Sequence, residues 1–313
     1  MADKSLYEHI GVNHVQAERI AKPQLSYWKD VAGRFFSNKI ALISIVILLV
    51  VVAMALVGPM MVSYDYRATD VETVSGLLKA NGKTALAPSS QHWFGLDTLG
   101  RDLWARVWVG TRYSLIIGFL AALVQAVIGV VVGCVSGYCG GTVDMIIMRI
   151  VDIMDAIPYL IYVIIIMMIF GSGLMPILLA LTLTGWLSMA RLVRGQILTL
   201  KNEDYILAAR NLDTSPLAIM LKHLIPNCMG VIIVSLSMAI PSAIFSEAFL
   251  SFLGIGLAAP LTSLGQLIST GIKEMRNYPY QLIIPSAVIS LLMLSLQLIG
   301  DGLRDAVDPK LRK

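Results

Sequence analysis

The chain has 313 residues, of which 57% are hydrophobic and only 14% charged, with a mean hydropathy of +0.77. A water-soluble domain cannot hide that much apolar surface, so most of the chain is surrounded by lipid. The net charge of +4 gives no reason to expect a nucleic-acid partner. Cys134, Cys139 and Cys228 form neither a Cys-x-x-Cys pair nor a Cys/His cluster, which argues for small packed thiols over redox or metal roles.

Residues 1–39 are polar and charged, without the early apolar core of a cleavable signal peptide. Within them, Gln24 to Asn38 places Leu25, Trp28, Val31, Ala32, Phe35 and Phe36 on one helical face and Lys29, Asp30 and Arg34 off it. That pattern predicts an amphipathic helix lying on the membrane surface. Residues 40–64 are free of charge and long enough for a first span, since roughly 20 apolar residues cross the hydrocarbon core. Residues 65–112 read as a polar external loop with an aromatic end, where Trp93, Trp104, Trp108 and then Tyr113 suit a bilayer interface. Asn81-Gly82-Lys83-Thr84 carries a Gly-Lys-Thr, but the glycine a phosphate loop requires five positions before Gly82 is Leu77, so no nucleotide site is expected in this chain.

A second span is expected over residues 113–143, where Gly129, Gly133 and Gly137 make a small-xxx-small face for close helix packing. Residues 145–170 read as a third span whose inner end carries Arg149, Asp152 and Asp155 on one face; an interfacial turn is favoured there, because charges deep in a span are rare. From Asp155 to Arg191 the sequence is free of charge for too long to be one helix, and Gly171-Ser172-Gly173 with Pro176 divides it into spans three and four. Span five follows at 229–252, with a kink at Pro241. Glu247 near its outer end is open to two readings, a solvated interface residue or a lining residue. A looped return at 253–280, span six at 282–300 and a charged tail at 301–313 complete a five-helix core over residues 113–300. His92 and His223 are isolated in sequence and read as structural or solvated.

The long polar interruption is Lys201 to Asn227. Ile206, Ala209 and Leu212 take helical spacing, Asp213-Thr214-Ser215 supplies a turn, and Ser215-Pro216 looks like an N-cap with proline at the first helical position. A second helix with Leu217, Met220, Leu221 and Leu224 is expected to end at Pro226-Asn227. Six spans put both termini on one side. With that side inside, sixteen of the 24 Lys and Arg residues are internal and eight external, which places the termini and the 201–227 hairpin in the cytoplasm. Three classes fit such a chain: a secondary transporter, a membrane scaffold, or a permease driven by separate ATPase subunits. Span centres nearly free of charge and the absence of an internal repeat speak against the first, while a regular amphipathic hairpin suits helix-in-groove docking in the third.

Asp204 to Asn227 resembles the EAA loop of binding-protein-dependent ABC importer permeases, Glu-Ala-Ala followed by glycine and Ile-x-Leu-Pro. Ala208, Ala209 and Pro226 match, whereas Leu207 stands at the glutamate position, Asp213 at the glycine, His223 at the isoleucine and Ile225 at the leucine. HWFGLDTLGRDLWARVWVGTRYSL, RIVDIMDAIP, EAFLSFLGIGL and DGLRDAVDPKLR, in that order, resemble the C-type permease subunit of oligopeptide, dipeptide and nickel importers, most of all its oligopeptide members. The similarity runs from about Tyr27 to Arg312. It implies an all-α integral membrane protein with the six-helix type I (MetI-like) importer fold and an amphipathic elbow helix in a bacterial cytoplasmic membrane. It also implies a second homologous permease subunit, two ATP-binding subunits that carry ATP and Mg, an external solute-binding protein and a peptide substrate. The chain itself would hold no cofactor or metal. The implied docking surface is Tyr205, Ala208, Ala209, Leu212 and Ile219, with Leu207, Asp213 and Pro226 at the motif positions beside it.

Overall fold

The computed structural model describes residues 27–69, 75 and 86–308. The tail at 1–26, the Gly-Lys-Thr stretch and residues 309–313 lie outside the described residues. Helix α1 (Tyr27–Ser37) buries Val31 and Phe35 against Ala41 and Ala306, and turns Trp28 and Phe36 outward. Asn38 then caps α2 (Lys39–Val57), its side chain accepting from the backbone N–H groups of Ile40 and Ala41. One face of α2, with Ala41, Ser44, Val51 and Ala55, is buried; Ile43, Val46 and Val50 on the other remain exposed, as lipid-facing residues can be. A 3₁₀ turn, Gly58–Met61, ends this span.

Helix α3 (Leu103–Cys139) starts ten residues before the expected second span. The charges that make 103–112 look like loop are satisfied by neighbouring segments. The buried Asp102 caps the helix and also meets His92 Nδ1 at 2.8 Å. Arg106 donates to the Tyr66 carbonyl and to Thr262 Oγ1. Arg112 donates to the Ala55 carbonyl at 2.9 Å and thus places positive charge on the carbonyl end of α2. The indole of Trp104 donates to the Gly58 carbonyl at 2.8 Å, packed among Trp93, Phe94 and Trp108.

The third crossing is broken. Helix α4 (Gly141–Ala156) and α5 (Tyr159–Phe170) meet at 83° across Ile157-Pro158. Proline Cδ pushes the preceding residue out of the helical region, and Ile157 is extended at φ −87°, ψ 125°. Helix α6 (Leu174–Leu200) runs past Arg191 and Arg194, and the hairpin follows as α7 (Asp204–Asn211) and α8 (Pro216–Ile219). Helix α9 (Ile225–Phe252), α10 (Leu264–Glu274) in the return loop and α11 (Tyr280–Val307) complete the chain. The described residues hold five helices long and apolar enough to cross a membrane, and a sixth crossing where the bent α4–α5 pair is counted as one span.

Helix α3 packs closely on α6. A Cβ added at Gly129 would lie 2.5 Å from Met189 Cβ, one at Gly133 2.4 Å from the Ala190 carbonyl, and one at Gly137 2.8 Å from Ile197 Cβ. Glu247 is neither solvated nor on a cavity wall. It is fully buried, accepting from Ser251 Oγ at 2.7 Å and Ser114 Oγ at 3.2 Å. Cys134 and Cys228 are packed, but Cys139, at the end of α3, is exposed.

Gly133→Val in detergent-solubilised protein should cost at least about 1–3 kcal/mol by overpacking, read as a lower unfolding temperature or loss of the monodisperse peak. Gly195→Ala, where an added Cβ meets nothing within 4 Å, should keep the monodisperse peak and leave the unfolding temperature equal or slightly higher, since alanine favours a helix over glycine.

Candidate functional site

The polar hairpin is built on local chemistry. Helix α7 starts with Asp204 in its first turn and carries Arg210 in its last, charges of the sign that the helix dipole favours at each end. The reversal is closed by the N–H of Leu212 on the Ala208 carbonyl (3.1 Å) and that of Thr214 on the Ala209 carbonyl (3.1 Å). Asp213 between them takes φ 53°, the left-handed region that glycine occupies freely and aspartate tolerates better than most residues. This explains why a glycine suits that place in the motif. Ser215 Oγ accepts from the Ala218 N–H and caps α8, with Pro216 in its first turn.

The second helix does not end at Pro226. Met220–Leu224 widens into a π turn in which the Ile225 N–H reaches back to the Met220 carbonyl, and the helix then continues with Pro226 in its next turn. Proline has no N–H to give to residue 222, and the wider turn absorbs that loss without a break. Residues Pro216–Phe252 therefore form one 37-residue run, so the hairpin's second helix is the start of the fifth span.

Two faces of the hairpin have different surroundings. Ile206 and Ile219 are completely buried, and with Ala209 and Leu224 they pack against Val193 and Ile197 of α6, Cys134 of α3, and Cys228 and Ile232 of α9. Ala209 and Ile219 thus hold the hairpin to its own chain and do not belong to an outward surface, because the helical repeat turns them toward the core. On the other face, Tyr205, Leu207, Ala208, Asp213 and Pro226 are exposed, and Leu212 is 80% exposed. Leu217 at 62% and Leu221 at 57% join them. Their i, i+4 spacing on the side opposite Ile219 and Leu224 was the available signal for that patch. Lys201 Nζ donates to the Gly137 carbonyl at 2.9 Å, and Arg210 lies 5.1 Å from the Tyr138 ring centre, which clips the hairpin base to the end of α3.

Beside the hairpin, α4 is tied to α6 by ion pairs. Arg194 grips Asp144 with two donors, one at 2.6 Å. Arg191 bridges Asp155 (2.8 Å) and Asp152 (3.2 Å). Asp152 and Asp155 are more than half exposed and reach Arg191 on another helix; Arg149 is exposed. Among the described residues no three His, Cys, Asp or Glu side chains gather as a metal site.

Five membrane-long helices, the bent α4–α5 pair and an anchored hairpin that grows into a span define a polytopic membrane protein. The comparisons give the family. Residues 129–313 match the binding-protein-dependent transport system inner membrane components, and residues 26–80 match the N-terminal membrane domain of oligopeptide transport permease C. The chain belongs to this family of ABC importer permeases. It is 46% identical to the oligopeptide transport system permease protein OppC of Bacillus subtilis, over 99% of this chain and 98% of that one. The dipeptide transport system permease protein DppC of the same organism is 43% identical over 95% and 90%. The fold is that of a chain in an inward-facing MetNI methionine ABC transporter, at 20% identity and a TM-score of 0.50 over 64% of this chain and 94% of that chain.

Asp213→Val should cost roughly 1–2 kcal/mol, because a β-branched side chain is strained at this φ. Asp213→Gly should be tolerated, and thermal unfolding of the two variants checks the order.

Proposed function

We propose that this chain is one half of the translocation path of an ATP-driven oligopeptide importer, and that its hairpin couples the path to separate ATPase subunits. The observation that carries the reading is the exposed apolar face Tyr205, Leu207, Leu212, Leu217 and Leu221 on a hairpin whose other face is anchored and whose second helix runs on into α9. Apolar anchors on a short helix suit a groove on another protein. The partners are a second permease subunit, two ATP-binding subunits that hold ATP and Mg, and an external solute-binding protein. The excess of Lys and Arg on the hairpin side supports cytoplasmic termini in a bacterial cytoplasmic membrane.

The mechanism follows from the connection. The binding protein delivers peptide to the outer face, touching the described residues 86–102 and 253–279 of the two external loops. Closure of the ATPase pair on ATP moves the docked hairpin, and the continuous Pro216–Phe252 run passes that displacement to the wall of the path. Hydrolysis reopens the pair and returns the path inward. The stronger binding of ATP to the closed pair supplies the bias between the two states. Peptide cargo is supported by the similarity to oligopeptide permeases. The similarity to DppC makes dipeptides the competing cargo, separated by competition uptake with di-, tetra- and hexapeptides and nickel ions on the whole complex.

Leu212→Glu and Leu217→Glu should each weaken co-purification of the ATPase subunits by about 30-fold, equivalent to at least about 2 kcal/mol for an interface anchor, without altering the permease pair. Unchanged recovery of the ATPases with both variants would overturn the docking assignment. Ala209→Glu would destabilise the hairpin itself and is no test of docking.

A further inference from the structure

At the middle of the bundle, between α3, α6 and α9 and under the first residue of α5, lies a half-open chamber of about 430 Å³, within the range of small-ligand sites of about 300–1,000 Å³. Its polar wall is Gln125, Tyr159, Thr184, Ser188, Ser235, Ser242 and Ser246; among its lining residues there is no Asp, Glu, Lys, Arg or His. Polar side chains at mid-span face a cavity or a partner in the bundle, and their position marks a path for polar cargo. Two details show that the wall is not ordinary packing. The Tyr159 hydroxyl lies at the chamber with no hydrogen-bond partner among the described residues, so its donor and acceptor are not committed to the bundle. Gln125 is fixed by one donor, Nε2 to the Leu181 carbonyl at 2.9 Å, which orients the rest of its amide on the wall. The charges closest in sequence are turned elsewhere: Arg191, one turn beyond Ser188, is held by Asp152 and Asp155, and Glu247, next to Ser246, by Ser114 and Ser251.

We propose that this chamber is a transit subsite for the peptide main chain, an assignment that rests on the cargo reading above. Hydroxyls and a carboxamide can both donate and accept, so they match the alternating N–H and C=O groups of any peptide. A wall without charge neither attracts nor repels a Lys or Glu side chain, so passage through this chain is tolerant of cargo sequence.

The test uses the whole importer in proteoliposomes, with its partner permease, ATPases and binding protein, and measures uptake of Ala-Ala-Ala, Ala-Glu-Ala and Ala-Lys-Ala beside binding-protein-stimulated ATPase activity. Tyr159→Phe and Gln125→Leu should lower uptake of all three peptides alike, by about fivefold for one lost polar contact, with stimulated ATPase unchanged. Ser242→Asp should reduce uptake of Ala-Glu-Ala relative to Ala-Lys-Ala about tenfold against the wild-type ratio, a change that a general packing defect would not produce. Ser242→Trp, neutral and chamber-filling, should block all three while the complex still assembles. Wild-type uptake of the peptides combined with an unchanged Glu-to-Lys ratio in Ser242→Asp, or with free uptake in Ser242→Trp, overturns the subsite alone. Failure of the wild-type complex to import any of the three overturns the cargo reading and the subsite with it.

Discussion

The distance between α3 and α6 is set by Gly129, Gly133 and Gly137, and the other working parts are placed by that distance. Helices in lipid gain nothing from leaving one apolar medium for another, so their association depends on close van der Waals contact and on internal polar bonds. Here backbone meets backbone along three successive turns, with the Ala190 carbonyl against Gly133. The seam positions Met189, Val193 and Ile197, the same side chains on which the hairpin rests. Further along the two helices, the seam gives way to the chamber wall of Gln125, Thr184 and Ser188.

The hairpin is consequently a rigid extension of the bundle and not a flexible loop. Its inner face is filled by Ile206, Ile219 and Leu224, and its base is fastened by Lys201 to the last turn of α3. The π turn at Met220–Leu224 allows the chain to pass Pro226 without breaking, so the helix that carries the exposed Leu217 and Leu221 runs uninterrupted into α9. Two salt-bridged arginines, Arg191 and Arg194, hold α4 against the same helix, α6, that precedes the hairpin. The exposed Arg191 pairs contribute little to stability, about 0–1 kcal/mol each, and act by fixing orientation.

Polar groups within the bundle are handled locally. Glu247 is enclosed by serine hydroxyls, Arg112 caps the carbonyl end of α2, and Asp102 serves both the first turn of α3 and His92. None of these partners is near its mate in the sequence by helical spacing, apart from the capping bond and Ser251 of α9. In a low-dielectric bundle such bonds help to fix the return loop and the segment before α3.

Much of the architecture was legible because lipid imposes a simple rule: long charge-free runs must be helices that satisfy their own backbone. That rule placed the crossings, and the Ser215-Pro216 cap and the glycine spacing marked the hairpin turn and the packing seam. Charge patterning misplaced the start of α3, since Arg106 and Arg112 are satisfied by residues about 40 to 160 positions away. Periodicity identified the apolar stripe of the hairpin but not which part of it faces inward; that depends on where α3 and α6 meet, so Ala209 and Ile219 turned out buried and Leu217 and Leu221 exposed. The 83° break at Pro158 and the unbroken passage at Pro226 show the same division. A proline removes one N–H wherever it stands, and only the surrounding packing decides whether the helix bends or widens to accommodate it.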